Sequence, residues 1–216
     1  MSNQKDLGLT RRTFTSALVI SALQGSVPAS SNTLRGKFDP ERFVADCVLA
    51  NVGDDPQGAV LEVLQRAVRD DRDVLDALGP LSRAGIMVLH RSEDLTIFNA
   101  AWTPQMNLMP HNHLMWANIG IYTGREDNIY WRSSDRRIEA YGADALFAGD
   151  AARLPIDVIH SVTNPLLRFT GGIHIYGGDF FETTRTQWDP ETLAEEPSDG
   201  DAIRSMFQNE NDRLNL

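Results

Sequence analysis

The stretch Gly149-Asp150-Ala151-Ala152-Arg153-Leu154-Pro155-Ile156-Asp157-Val158-Ile159-His160-Ser161-Val162-Thr163-Asn164 decides how the chain reads. Two short runs of strand character, 151–154 and 158–162, flank a Pro-x-Asp turn, and His160 sits in the second between Val158-Ile159 and Val162. A histidine embedded in an apolar strand must satisfy both ring nitrogens away from water, and a metal ion is one partner able to do so. Further back, His111 and His113 stand two residues apart, so at the period of a strand both rings point to one face and can chelate a single ion. A barrel can bring a third histidine from a distant strand to the same place.

Working outward, short runs rich in Val, Ile, Phe, Tyr and Trp occupy 86–91, 95–102, 113–122, 129–132, 137–140, 145–147, 151–154, 158–162 and 168–176. Strands at this spacing, with no helices alternating between them, predict an antiparallel sandwich or barrel and argue against a doubly wound parallel sheet. Before them lies a helical preface over 38–80. Asp39-Pro40 and Asp55-Pro56 each place a capping aspartate before a proline at the first helical position, and Val60, Leu61, Val63, Leu64, Ala67 and Val68 recur on one helical face. Val74, Leu75 and Leu78 suggest a third short helix. Past Gly178 the strand pattern fades, and the tail from 182 to 216 reads as an irregular acidic wrap with a short helix at 201–207.

The chain of 216 residues suits one principal core, and 42% apolar with 23% charged residues is globular composition. A net charge of −10 repels phosphate backbones, which makes nucleic acid an unsuitable partner. The single cysteine, Cys47, excludes an internal disulfide framework and a multi-thiolate metal site, so metal ligands must come mainly from His, Asp or Glu. Residues 1–29 differ from the rest: Arg11-Arg12, then Phe14, a modestly apolar stretch from Ala17 to Leu23 and Val27-Pro28-Ala29 follow the order of a twin-arginine export signal. The apolar stretch falls short of the ~20 residues of a spanning helix, so no stable membrane anchor is expected. The expectation is export to the periplasm or beyond, with a cytoplasmic location as the alternative.

The motifs resemble those of the cupins, whose barrels are antiparallel double-stranded β-helices of the jelly-roll type. The second cupin motif, Gly-x5-Pro-x-Gly-x2-His-x3-Asn, is met by Gly149, Pro155, His160 and Asn164, with Asp157 where glycine is usual. The first, Gly-x5-His-x-His-x3,4-Glu-x6-Gly, is met by His111 and His113, and by Gly124 on the shorter spacing. Gln105 replaces its opening glycine, and Ala117 or Asn118 its glutamate. The resemblance spans about residues 86–181 and implies a barrel metal site of three histidines without the usual glutamate.

That ligand set is similar to the cysteine dioxygenase-like branch, the thiol dioxygenases. The resemblance implies Fe(II) on His111, His113 and His160, with Zn, Mn or Ni as other divalent ions the site could take. It implies O2 and a small-molecule thiol as substrates, and leaves a homodimer open. His174 and Tyr176 match the His-x-Tyr arrangement that puts a tyrosine hydroxyl over the iron, with His174 holding it. Gly172 stands where that pattern begins with serine. For the arginine that holds a substrate carboxylate, His90 or Arg91 lies on roughly the right strand. Trp102, Trp116 and Trp131 read as core packing, Glu126 as a solvated carboxylate in the turn 124–128, and Asp157 as a turn former. The competing readings are a cupin isomerase or hydrolase using another divalent metal, and a non-catalytic metal- or ligand-binding module.

Overall fold

The computed structural model describes residues 37–134 and 137–216, so the export-signal reading of 1–29 lies outside the described residues. Three helices come first: α1 (Pro40–Ala50), α2 (Pro56–Ala67) and α3 (Asp71–Leu78). Asp39, Asp55 and Asp70 each accept a backbone N–H from the turn that follows, which satisfies donors the helix itself leaves free. Among the described residues no helix is long and apolar enough to cross a membrane.

Nine strands then build the barrel: β1 (Gly85–Arg91), β2 (Thr96–Trp102), β3 (Asn107–Asn112), β4 (Ala117–Thr123), β5 (Arg125–Ser134), β6 (Arg137–Phe147), β7 (Ala151–Leu154), β8 (Ile159–Thr163) and β9 (Thr170–Tyr176). Two short strands, β10 (Thr186–Trp188) and β11 (Glu195–Pro197), and a helix, α4 (Gly200–Arg213), complete the fold. One sheet runs β1-β2-β9-β4-β7 and the other β11-β10-β3-β8-β5-β6, with antiparallel pairing throughout. The two sheets enclose a core of Phe98, Trp102, Ala117, Ile119, Ile121, Val162 and Tyr176. This is an antiparallel double-stranded β-helix barrel.

The preface packs on the outer face of the five-stranded sheet, where Phe43, Val60, Leu64 and Val68 meet Ile97, Tyr122, Ile173 and Ile175. The approach is close. A Cβ at Gly120 would lie 2.8 Å from Leu64 Cγ, so β4 needs glycine where α2 crosses it.

Several elements differ from the sequence reading. The run 113–122 is not one strand: β3 ends at Asn112, Leu114 turns the chain with φ 55°, and β4 begins at Ala117. The runs 137–140 and 145–147 join in β6, whose register against β5 shifts at Tyr130/Trp131 and so hides the alternation. The tail is more ordered than an irregular wrap, because β10 pairs with both β3 and β11 and because α4 is anchored. The Asn211 side chain accepts from Ala84 N at 2.7 Å and donates to Ala84 O at 3.0 Å, while Phe207 enters the barrel core.

The departures from the cupin motifs also find their reasons. Gln105 keeps the left-handed backbone that a glycine would supply, with φ 60°, at a cost on the order of 1–2 kcal/mol. Asp157 lies in a turn closed by Val158 N donating to Pro155 O and is not among the positive-φ residues, so no glycine is needed there. Asn164 is a structural clamp: its amide donates to the carbonyls of Trp102, Thr103 and Arg168 and accepts from Leu166 N and Thr170 Oγ1.

Candidate metal centre

His111 near the end of β3 and His160 on β8 stand directly opposite each other in the ladder, and His113 follows just beyond β3. The three rings converge. His113 Nε2 lies 3.2 Å from His111 Nε2 and 3.1 Å from His160 Nε2, and the side chains are buried, at 7%, 0% and 1% exposure for His111, His113 and His160. His113 stands one residue past the end of β3 and still shares the face of His111, as their spacing of two predicts.

The other ring nitrogens show which way these imidazoles are held. His111 Nδ1 donates to Met109 O at 3.0 Å and His160 Nδ1 to Asn128 Oδ1 at 2.6 Å, which leaves the Nε2 lone pair of each facing the cluster. Burial lowers the His111 pKa from 6.5 to about 4 and holds His113 and His160 well below the usual histidine range. All three are therefore neutral near pH 7, the form that ligates metal. Lone pairs crowded this closely repel one another unless a cation lies between them. A separation of 3.1–3.2 Å is also what two nitrogens adopt on one ion at roughly 2.1 Å when their bonds lie near a right angle. The residues fit a divalent ion, and the geometry does not choose among iron, zinc, manganese and nickel.

His174 and Tyr176 on β9 are brought to the same interior, with Nδ1 and the phenolic oxygen 3.3 Å apart. Burial raises the Tyr176 pKa far above its ordinary value, so the hydroxyl stays protonated. Next to the histidines is a cavity of about 40 Å³, walled by Phe98, Trp102, His174, Tyr176, Arg185 and Phe207 among others. Trp102 packs as expected, stacking on Phe207 at 5.4 Å between ring centroids, but it also faces this cavity. Trp116 packs against the helix-side core, and Trp131 donates its indole N–H to Ser161 Oγ at 3.0 Å. Cys47 is buried among the helices, where desolvation pushes its thiol up to about 12, and takes no part.

Two expectations are corrected. Glu126 is not a solvated turn carboxylate: it lies on β5 at 0% exposure, accepts from Asn128 Nδ2 at 3.1 Å, and faces His174 Nε2 at 3.4 Å. The dense turn formers of 124–128 mask a strand that pairs with β8. Arg91 and His90 do not reach the cavity. Arg91 sits on the outer surface, bound to Asp179 at 3.0 Å and Glu182 at 2.8 Å.

The cation that does face the cavity is Arg185, missed in the sequence because it follows the last barrel strand in a segment without periodicity. Its guanidinium carbon lies 3.8 Å over the Phe180 ring, and its buried Nε has no partner among the described residues. Asn128 was missed too. Only its pairing with His160 across the sheet gives it a role.

No protein-family model matches the sequence, and no curated protein matches it. Solved structures do match by shape. A double-stranded β-helix domain protein from Klebsiella pneumoniae is 12% identical over 56% of this chain and 88% of its own, with a TM-score of 0.38. A cupin superfamily protein from Desulfitobacterium hafniense is 14% identical over 47% of this chain and 83% of its own, at 0.38. A protein from Bacillus halodurans is 16% identical over 57% of this chain and 84% of its own, at 0.42.

Proposed function

We propose that the barrel is an iron-dependent, thiol dioxygenase-like oxygenase that adds both atoms of O2 to the sulfur of a small thiol, RSH + O2 giving RSO2H. The observation that carries this reading is the donor set: three buried, neutral histidines aimed at one point, with no carboxylate in the cluster. His111, His113 and His160 would hold the ion. Bound Fe(II) supplies the electron-transfer chemistry with O2, and three protein ligands leave positions for both substrates.

The chain's own residues do the rest. Tyr176 sets a hydroxyl on the cavity wall, held by His174. Phe98, Trp102 and Phe207 exclude water. Arg185, cationic and unpartnered at Nε, binds the anionic group of the thiol and draws it toward the histidines. The small cavity restricts the substrate to a small molecule.

The test is metal analysis of protein purified without added metal, followed by oxygen-electrode assays of the iron-loaded protein with a panel of small thiols. Bound iron and thiol-dependent O2 uptake support the reading. No uptake with any thiol would replace it with a binding module or a different metal chemistry. His160→Ala should lose metal and uptake together, whereas Arg185→Met should raise KM about tenfold, about 1.4 kcal/mol, for anionic thiols alone.

A further inference from the structure

Five buried side chains form a continuous polar chain from the histidine cluster to the far wall of the cavity. His160 Nδ1 meets Asn128 Oδ1 at 2.6 Å, Asn128 Nδ2 meets Glu126 Oε1 at 3.1 Å, Glu126 Oε2 faces His174 Nε2 at 3.4 Å, and His174 Nδ1 meets Tyr176 Oη at 3.3 Å. Exposure is 1% for Asn128, 0% for Glu126 and 3% for both His174 and Tyr176. Neither Glu126 Oε2 nor His174 Nε2 makes a hydrogen bond among the described residues, and since leaving both buried and unpartnered is costly, their 3.4 Å approach is the pairing open to them.

The direction of each link follows from which atoms can donate and which only accept. His160 keeps its Nε2 lone pair for the cluster, so its proton is on Nδ1 and the Asn128 oxygen must face it. The Asn128 amide nitrogen is thereby turned toward Glu126 and donates to Oε1. For the approach of Glu126 to His174 to become a hydrogen bond the carboxylate must accept, which calls for the His174 proton on Nε2 and a bare Nδ1 facing the tyrosine. A bare nitrogen also only accepts, so the Tyr176 hydroxyl donates to it.

We propose that Glu126 is a positioning residue for Tyr176: by fixing the Nε2–H tautomer of His174 it commits the phenolic proton to His174 and turns the phenolic lone pairs to the cavity. This rests on the oxygenase reading for its use, since Tyr176 then accepts a hydrogen bond from an incoming donor such as a thiol S–H. It also fills a role that Gly172, with no side chain, cannot. The hydrogen-bond directions themselves do not depend on what reaction occurs.

The experiment is nitrogen NMR of histidine-labelled, zinc-loaded protein, with His174 assigned by its loss in His174→Asn. The parent should show His174 protonated on Nε2. In Glu126→Gln the new amide oxygen still accepts from Asn128 while its NH2 donates to His174 Nε2, so the proton should move to Nδ1. Glu126→Asp, which remains an acceptor, should keep the parental tautomer. In the iron-loaded protein Glu126→Gln should lower kcat roughly 10- to 100-fold with metal content and KM unchanged. A parental His174 protonated on Nδ1 overturns the proposal, and so does an unmoved tautomer in Glu126→Gln. Should that variant not fold, the parental measurement alone decides. The expected tautomers together with no thiol oxidation would overturn only the reaction and leave the positioning intact.

Discussion

On β9 the side chains of Ile173 and Ile175 pack among Phe43, Val60 and Leu64 of the helices, whereas His174 and Tyr176 point the opposite way into the cavity. Strand β4 repeats the division, with Ala117, Ile119 and Ile121 toward the barrel interior and Tyr122 toward the helices. The outer face is mainly apolar and its buried polar groups pair off: Gln57 donates to Ala117 O and Leu154 O while its own carbonyl accepts from Asn118, and the Tyr122 hydroxyl donates to Asn99 Oδ1 at 2.9 Å. The inner face presents His174 and Tyr176, which meet the histidine cluster and Glu126 of the opposite sheet and the half-buried Arg185 in the same small volume. The comparison teaches that one sheet divides its work: the helix side stabilises, and the barrel side spends part of that stability on polar groups held for chemistry.

The sharpest way to break this comparison is to put one charge on each face at adjacent positions. Asn118→Glu should prevent folding, since it loses the bond to Gln57 and buries an unpaired carboxylate under α2. Ala117→Glu points into the barrel core. It should keep folded, metal-loaded protein but reduce O2 uptake steeply by placing an anionic ligand where substrate or O2 binds. Circular dichroism with metal analysis separates the two. Equal unfolding by both would mean the faces are not divided as described.

A milder pair comes next. Tyr176→Phe should leave metal content and stability near the parent and lower turnover by ~10²-fold, the loss of one positioned hydroxyl. Leu64→Ala should do the converse, costing about 2–5 kcal/mol in denaturant unfolding with turnover per bound metal unchanged. A Tyr176→Phe protein as active as the parent on every thiol would remove Tyr176 from the chemistry.

The sequence carried the skeleton of this division. The His-x-His pair and the Gly149-to-Asn164 spacing are local patterns, and local patterns are what periodicity and motif spacing report. The residues joining them were illegible for a physical reason. Glu126 and Asn128 sit in a run of turn formers, and only pairing with β8, whose residues lie more than 30 positions away, turns that run into a buried strand.

A graded effect concerns acid. His111, His113 and His160 have native pKa values below the 6.5 of an exposed histidine, so on acidification the unfolded chain binds protons first. Stability of the metal-free protein should be complete above pH 6.5 and fall as pH drops from there toward about 4, where His111 protonates in the native state. The slope approaches about 1.4 kcal/mol per pH unit for each histidine. Bound metal should be released over the same range, since protons compete for the ligands. Flat stability between pH 6.5 and 5 would show that these rings are not buried neutral, and would remove the inner face's main polar cost.

The sequence by itself determined the helical caps at Asp39 and Asp55, the antiparallel β class, and the two separate motifs that carry the histidines, because each is written in neighbours a few residues apart. Tertiary structure alone decided that Ala117 rather than Asn118 faces the interior, that Arg185 rather than Arg91 reaches the cavity, and that Glu126 is buried against His174. Each of those outcomes depends on the register of strands or segments distant in the chain. A shift of one residue in that register exchanges the two faces of a strand, and nothing in the local sequence records it.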